Sequence, residues 1–481
     1  MLYKMFIDGN WCESDEGTVK DVINPATGEV IGQISIGSAK DVDRAAKAAY
    51  EASKKLEKMH VFERADLCLK VADAIMAHQE ELAQILSKEH GKPYYTEALG
   101  EVACCADAFR EAAEQIKWME DSMPVLRDKG RKAFVFRKPI GVFGIITPWN
   151  FPLGTACTYY LGAALATGNA VLWNPATTTA AVASVFMKCF EKAGVPKGAV
   201  NLVIGPGSVV GDAIVVHELV GGIGFTGSTE VGNFICSRAG AKHTSMELGG
   251  NGPSIVLADA DLELTAEAIM AGSFTNAGQI CTSTERVLAD DSIADELISI
   301  MVSKMEKYRL GMPDDKNTTM GPMHKMETVE IVERHVADAL EKGAKLVCGG
   351  RSNPEFATRH FYEPTILDYV SRDSLLNKEE TFGPVLPVIR FKDEEEIQSI
   401  IEDSPYRLFS AIFTRDIGKA LVMAENSKFG AININTGSNN WDPCFPAGGG
   451  AGSHSGHGRS GGKYSIYDMM ETRVVTVTLP E

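Results

Sequence analysis

The 481-residue chain has no CxxC pair, no long uninterrupted apolar run, no internal repeat and too little positive charge to balance its acidic residues. Each shortage excludes something. With 47 Lys and Arg against 64 Asp and Glu, the formal charge is −17, whereas a nucleic-acid binder gathers positive charge to displace counterions. The most apolar stretch, Gly141 to Gly154, is broken by Thr147, Pro148 and Asn150, and the opening MLYKMFIDGNWCES mixes polar and acidic residues into any apolar core. Neither segment suits a membrane span or a signal peptide. The expectation is a cytoplasmic protein without nucleic-acid or membrane partners. The ten cysteines share no ligand spacing, so no disulfide scaffold and no metal site is expected. Cys104 and Cys105 are adjacent, but consecutive side chains on a helix point apart, which makes them packing residues rather than a redox pair.

What is present is alternation. From about Arg137, the runs GVFGIIT, AVLWN and AVNLVIG are interleaved with a segment through Ala166 and with the amphipathic AAVASVFMKCFEKAG. Strand, helix, strand in this order is the form of a doubly wound parallel α/β sheet. Further strands are expected at Gly222 to Phe225 and Thr244 to Leu248, with a helix over Thr229 to Ala239. A second α/β series follows Asn251: PSIVLA, a helix from Leu262 to Ser273, RVLADD, a helix from Ile293 to Arg309, then KLVCGG, PTILD and PVLPVIRF. The organisation read from this pattern is a first unit over 1–120 and 139–250, a second over 251–440, a glycine-rich loop at 441–462, and an arm at 121–138 with a tail at 463–481. The charged Asp121–Lys138 and the alternating RVVTVTLP suit sheet-edge extensions open to another subunit.

Three local patterns carry chemistry. Gly224-Phe-Thr-Gly-Ser-Thr229 runs a strand through glycine into a helix opened by hydroxyl residues, where a pyrophosphate can approach free N–H groups. Taken alone, that signal also describes an ordinary turn. Glu247-Leu-Gly-Gly250 puts a carboxylate at a strand's C-terminal end, where open α/β sheets place their sites. Phe274-Thr-Asn-Ala-Gly-Gln-Ile-Cys281 presents a cysteine after a Gly-Gln turn, a setting in which backbone dipoles or a nearby cation can produce a nucleophilic thiolate. The other nine cysteines read as small buried hydrophobes.

Together with Thr147-Pro-Trp-Asn-Phe-Pro and Glu380-Thr-Phe-Gly-Pro, these motifs resemble the aldehyde dehydrogenase superfamily over essentially the whole chain. The resemblance implies oxidation of a small-molecule aldehyde to its acid with NAD(P)+. It makes Cys281 the nucleophile, Glu247 the general base and the Asn150 amide half of an oxyanion hole. Glu380 would hold the nicotinamide ribose with Phe382 beside the ring. Further cofactor contacts fall on Thr147, Pro148 and Trp149, on Gly207 and Gly211, and on Gly227, Ser228, Leu248 and Gly249. The coenzyme A-acylating branch typically lacks the glutamate, so Glu247 favours water as the acyl acceptor. A catalytically retired nucleotide binder would not need Cys281, Glu247, Asn150 and Glu380 intact. Homodimers or homotetramers joined through the arm and Val474–Leu479 are implied as well.

The chain departs from the family in places. The lysine and glutamate that grip the adenine ribose are Asn174 and Thr177 here. Losing the glutamate admits a 2′-phosphate, and losing the lysine removes its attraction. The balance leans to NAD, with NADP use open. One extra residue lies between Asn150 and Gly168, and Tyr159 and Tyr160 stand where a lysine is common. Tyr159, Thr282, Asn439, Asn440 and Trp441 are the candidate substrate contacts, hinting at a small or polar aldehyde, and no arginine is singled out for an anionic one. His454 and His457 form an HxxH in a glycine loop without a third ligand, which suits solvation or substrate contact better than metal. Arg459 in the same loop resembles a residue kept for structure.

Overall fold

Every residue of the strand Val142–Thr147 is buried, as a strand covered on both faces requires, and it lies at the centre of the larger of two main sheets. On one side it pairs in parallel with Ala170–Pro175, which pairs with Val200–Leu202. On the other it pairs in parallel with Gly222–Thr226, which pairs with His243–Glu247. The hairpin Met5–Ile7 and Asn10–Cys12 extends one edge, and Gly456–His457 closes the other against Met246 and Glu247. Helices Ala180–Ala193 and Thr229–Ala239 lie where the sequence predicts them. Strand order reverses around Val142–Thr147, which makes the crevice beyond Thr147 and Thr226 the natural ligand position. This is a computed structural model, and it describes residues 1–479; the end of the expected tail, Pro480 and Glu481, lies outside the described residues.

The second sheet has seven strands, parallel except for Lys345–Cys348 at one edge. Phe409–Phe413 and Ala431–Ile434 complete it on the other side. The sequence reading did not find these two, because FSAIF and AINI are too short to separate from turns of buried helix. The single helix expected over Ile293 to Arg309 is Asp291–Lys304 followed by a 3₁₀ turn, Met305–Lys307. Two buried apolar clusters accompany the two sheets. One runs from Tyr3 to Leu248 with Ile466 and Met469, and the other from Ile255 to Ala420.

Between Asn150 and Gly168, where one extra residue is expected, the chain forms a π-helical turn, Ala156–Leu161, which leads directly into the α-helix Gly162–Thr167. A π-turn takes up one inserted residue without breaking a helix, and such turns gather at functional sites. A second π-turn, Tyr94–Ala98, opens the helix Leu99–Lys117, which carries Cys104 and Cys105. The arm and tail pair with each other: Arg131–Pro139 is antiparallel to Met470–Thr478 along its whole length. Val474, Val475 and Val477 stay exposed on that ribbon. The preceding helix, Gly462–Asp468, instead buries Ile466 in the first core. Among the described residues no helix is long and apolar enough to cross a membrane.

Candidate active site

After helix Leu262–Phe274 the chain turns through Asn276, Ala277 and Gly278, with φ of 54°, 52° and 72°. The left-handed region costs a non-glycine residue roughly 1–2 kcal/mol, so the surroundings must hold this turn in place. The Asn276 N–H donates to Glu97 Oε1 (2.9 Å), the Asn276 amide to the carbonyls of Asn150 and Gln279, and the His324 N–H to Gln279 Oε1 (2.8 Å). A Cβ on Gly278 would collide with the Gly383 carbonyl, and one on Gly250 with the Cys281 carbonyl. Glycine at both positions lets three loops meet at Cys281.

That meeting point opens into a cavity of about 650 Å³, a size suited to small-molecule sites. Cys281, Thr282, Asn150, Tyr159, Asn439 and Trp441 line it, together with Trp149, Glu97, Glu101, Glu380 and Phe382. The π-turn places Tyr159 there, edge-on to Trp441 at 5.7 Å. Asn150 Nδ2 donates to the Gln279 carbonyl (2.9 Å), which leaves its second amide hydrogen for a ligand. No Lys or Arg lines the cavity among the described residues.

Burial, then Glu380 and Glu247, push the Cys281 thiol up to about 12, although the N–H groups of Cys281 and Thr282 favour the thiolate. The activating cation that the sequence reading allowed is absent from the surroundings, which are acidic, so the resting group is a thiol. Burial also raises Glu247 well above the carboxylate range, against the lowering influence of Arg459. Its carboxyl faces the glycine-rich segment, where a Cβ on Gly448 would lie 3.2 Å from Oε1. Glu247 does not line the cavity, but it and Cys281 both raise the Tyr159 hydroxyl, after burial itself.

Several supporting residues were not visible in the sequence. Lys92 and Glu101 form a buried pair (2.6 Å); Lys92 also donates to the Asn150 carbonyl (3.0 Å), and Glu101 accepts from the N–H groups of Leu153 and Gly154. Replacing Lys92 with methionine leaves Glu101 without its counter-charge, and the expected loss is about 3–5 kcal/mol of stability, read as a lower denaturant midpoint. Glu285 accepts from the N–H groups of Thr381 and Phe382 (3.0 and 3.1 Å). It thereby fixes the loop in which Phe382, at φ 56°, meets Trp149 edge-on at 5.6 Å.

The cofactor end fits a dinucleotide. Thr226, Gly227 and Ser228 line the cavity where helix Thr229–Ala239 begins, capped by Ser228, so free N–H groups face an incoming anion. Glu380 accepts from the Gly250 N–H (2.7 Å), and a Cβ on Gly249 would stand 2.9 Å from its other oxygen. Burial raises Glu380 to about 7. Pro148, Leu248 and Gly249 share this lining.

Other expected contacts fall elsewhere. Thr147 accepts from the Trp173 indole at its hydroxyl and from the Ala176 N–H at its carbonyl. The Asn174 amide donates to the carbonyls of Val203 and Gly205. Both sit at buried strand ends, whose polar groups must find partners inside the protein. Gly207 and Gly211 bound a π-turn, with Gly211 packed beside Asn174. Thr177 accepts from Lys20. Asn440 is exposed and does not line the cavity.

The glycine-rich segment, expected as a mobile loop or a place of close backbone approach, contributes the edge strand Gly456–His457. His457 bonds Thr244 and His454 packs on Tyr406; neither lines the cavity, and no group of three metal-binding side chains exists among the described residues. Arg459 donates to the carbonyls of Gly449 and Gly458, a bracing role.

Residues 11–475 match the aldehyde dehydrogenase family. The chain is 39% identical over 478 residues to a lactaldehyde dehydrogenase of Methanocaldococcus jannaschii, covering 98% of this chain and 100% of the relative. It is 35% identical to a succinate-semialdehyde dehydrogenase [NADP(+)] of Escherichia coli, covering 98% and 97%. An NADP-dependent enzyme of E. coli of known crystal structure superposes with a TM-score of 0.96 at 35% identity, covering 99% and 98%.

Proposed function

The chain belongs to the aldehyde dehydrogenase family and oxidises an aldehyde to its acid with NAD(P)+, and we propose that it does so through a thioester on Cys281 that Glu247 hydrolyses with water. One observation carries the assignment of residues: Cys281, Asn150 and Glu380 line a single cavity, and Glu247 ends the strand beside it. Glu247, raised by burial, takes the thiol proton. Cys281 Sγ attacks the carbonyl carbon, and the oxyanion accepts from the free hydrogen of the Asn150 amide and from the Cys281 N–H. Such preorganised donors are each worth about 3–4 kcal/mol in comparable sites. NAD(P)+, when bound, accepts the hydride that leaves as the thioester forms. Glu247 first passes the thiol proton to solvent; as the carboxylate it then draws a proton from water, water adds to the thioester carbon, and Cys281 departs as the thiolate, which is reprotonated from Glu247. To reach that water the Glu247 side chain turns from Gly448 towards the cavity or acts through an intervening water.

The substrate is a small, uncharged, hydroxylated aldehyde. Thr158, Tyr159, Thr282 and Asn439 offer polar contacts, Glu97 and Glu380 add acidic groups to the lining, Glu101 is neutralised by Lys92, and no basic residue lines the cavity. An aldehyde carrying a carboxylate or sulfonate meets repulsion and no counter-charge. Lactaldehyde is therefore expected to surpass succinate semialdehyde in kcat/KM by about tenfold or more, equivalent to ~1.4 kcal/mol. Initial rates with both aldehydes check this, and a preference for succinate semialdehyde sinks the substrate reading.

Residues 1–120 and 139–250 form the nucleotide-binding unit and 251–440 the catalytic unit, a division supported by the break between buried clusters after Leu248. The exposed ribbon of Arg131–Pro139 and Met470–Thr478 joins subunits in a homodimer or homotetramer. The setting is cytoplasmic. NAD and NADP both fit, because Asn174 and Thr177 bring neither the attracting lysine nor the excluding glutamate.

A further inference from the structure

We propose that Lys20, in the N-terminal sheet, binds the 2′-phosphate of NADP at Thr177 and supplies from outside the nucleotide-binding sheet the cation that position 174 lacks. This rests on the reading of Thr177 as the adenine-ribose end of the cofactor site. Lys20 Nζ donates to Thr177 Oγ1 at 3.2 Å, its one polar partner among the described residues. The strand Val19–Ile23 pairs antiparallel with Val30–Ser35. Alternate residues of a strand share a face, and Val22, two residues on, is 3% exposed. Lys20 therefore points with Val22 towards the body of the protein, and its ammonium ends where strand Ala170–Pro175 passes into the 3₁₀ turn Thr177–Thr179.

The surroundings favour a dianion there. Thr177 is neutral, so nothing at that position repels a phosphate, and the Asn174 amide is occupied by two carbonyls. Another ammonium, Lys325 Nζ, lies 5.1 Å from the ring centre of Trp149, a cavity-lining residue. Burial lowers the Lys325 pKa, Glu327 opposes that, and Lys20 lowers it further, so the two lysines lie within each other's field. A phosphate at Lys20 accepts a charge-assisted hydrogen bond from its ammonium. The nucleotide preference thus moves from the lean to NAD towards NADP.

The competing account makes the Lys20–Thr177 bond a surface tie that merely holds the N-terminal sheet in place. Calorimetric titration separates the two, using 2′,5′-ADP and 5′-ADP on the wild type, Lys20→Met and Lys20→Arg, with no turnover involved. The proposal expects Lys20→Met to weaken 2′,5′-ADP by about tenfold, the scale of one charge-assisted hydrogen bond, while 5′-ADP changes less than twofold. Lys20→Arg should retain most of the affinity, and the ratio of KM for NADP to KM for NAD should rise in Lys20→Met but not in Lys20→Arg. Equal weakening of both ligands, or no change in either, overturns the proposal. Wild-type protein that oxidises aldehydes but binds 2′,5′-ADP no better than 5′-ADP overturns it while leaving the proposed function intact; failure to bind either ligand overturns the nucleotide-site reading as well.

Discussion

Cys281→Ala protein should fold normally, bind nucleotide and lose aldehyde-dependent reduction of NAD(P)+ by about 10⁴-fold or more, the order seen when a covalent nucleophile is removed. The size of the effect follows from the surroundings. Asn150 and the backbone can polarise a carbonyl, but without sulfur there is no tetrahedral adduct from which hydride can leave. No second thiol substitutes, since Cys104 is the only other cysteine in the lining and burial pushes it, too, up to about 12. The thermal midpoint should move little, because Cys281 is half-buried in an open cavity rather than packed in a core. Initial rates at saturating cofactor, beside a thermal melt, check both halves. Retained activity in folded Cys281→Ala protein would remove Cys281 from the mechanism.

Glu247→Gln should fail at a later step. Acylation needs the Cys281 proton to leave, but it can leave slowly to solvent; hydrolysis needs a base to activate water, and such bases contribute about 10²–10⁴-fold. The expected result is a burst of close to one NAD(P)H per subunit, followed by a steady rate reduced by about 10²–10⁴. Glutamine keeps the shape and the contact with the glycine-rich segment, so an effect of that size reports loss of the base rather than collapse of the loop. Added coenzyme A should not restore the steady rate if the site is built for water. Restoration would instead favour an acyl-transfer role.

How much of this was legible in the sequence depends on what each residue does. Cys281, Asn150, Glu380 and Phe382 were visible because their motifs resemble those of a known family, and the structure gathers them in one cavity. The parallel sheets were visible because buried strands are continuous apolar runs. Lys92, Glu101 and Glu285 were not, because they act through partners far along the chain, as in the bond from Thr381 to Glu285, 96 residues away. The sequence between Asn150 and Gly168 did not show that a π-turn would form there and bring Tyr159 into the lining that holds Cys281. Thr147 and Asn174 carried an expectation taken from their motifs, and the structure adds that their side chains are also bonded at buried strand ends. Lys20 meets Thr177 from 157 residues away, beyond any local pattern.

The most direct test of the account is to find the acyl group. Glu247→Gln protein mixed with NAD(P)+ and a small hydroxyaldehyde, quenched in acid after the burst and digested, should carry one acyl group per subunit on the peptide containing Cys281. That group should be released by hydroxylamine and be absent when NAD(P)+ is omitted. An acyl group on any other residue, or a full burst with no covalent adduct, would contradict a thioester on Cys281.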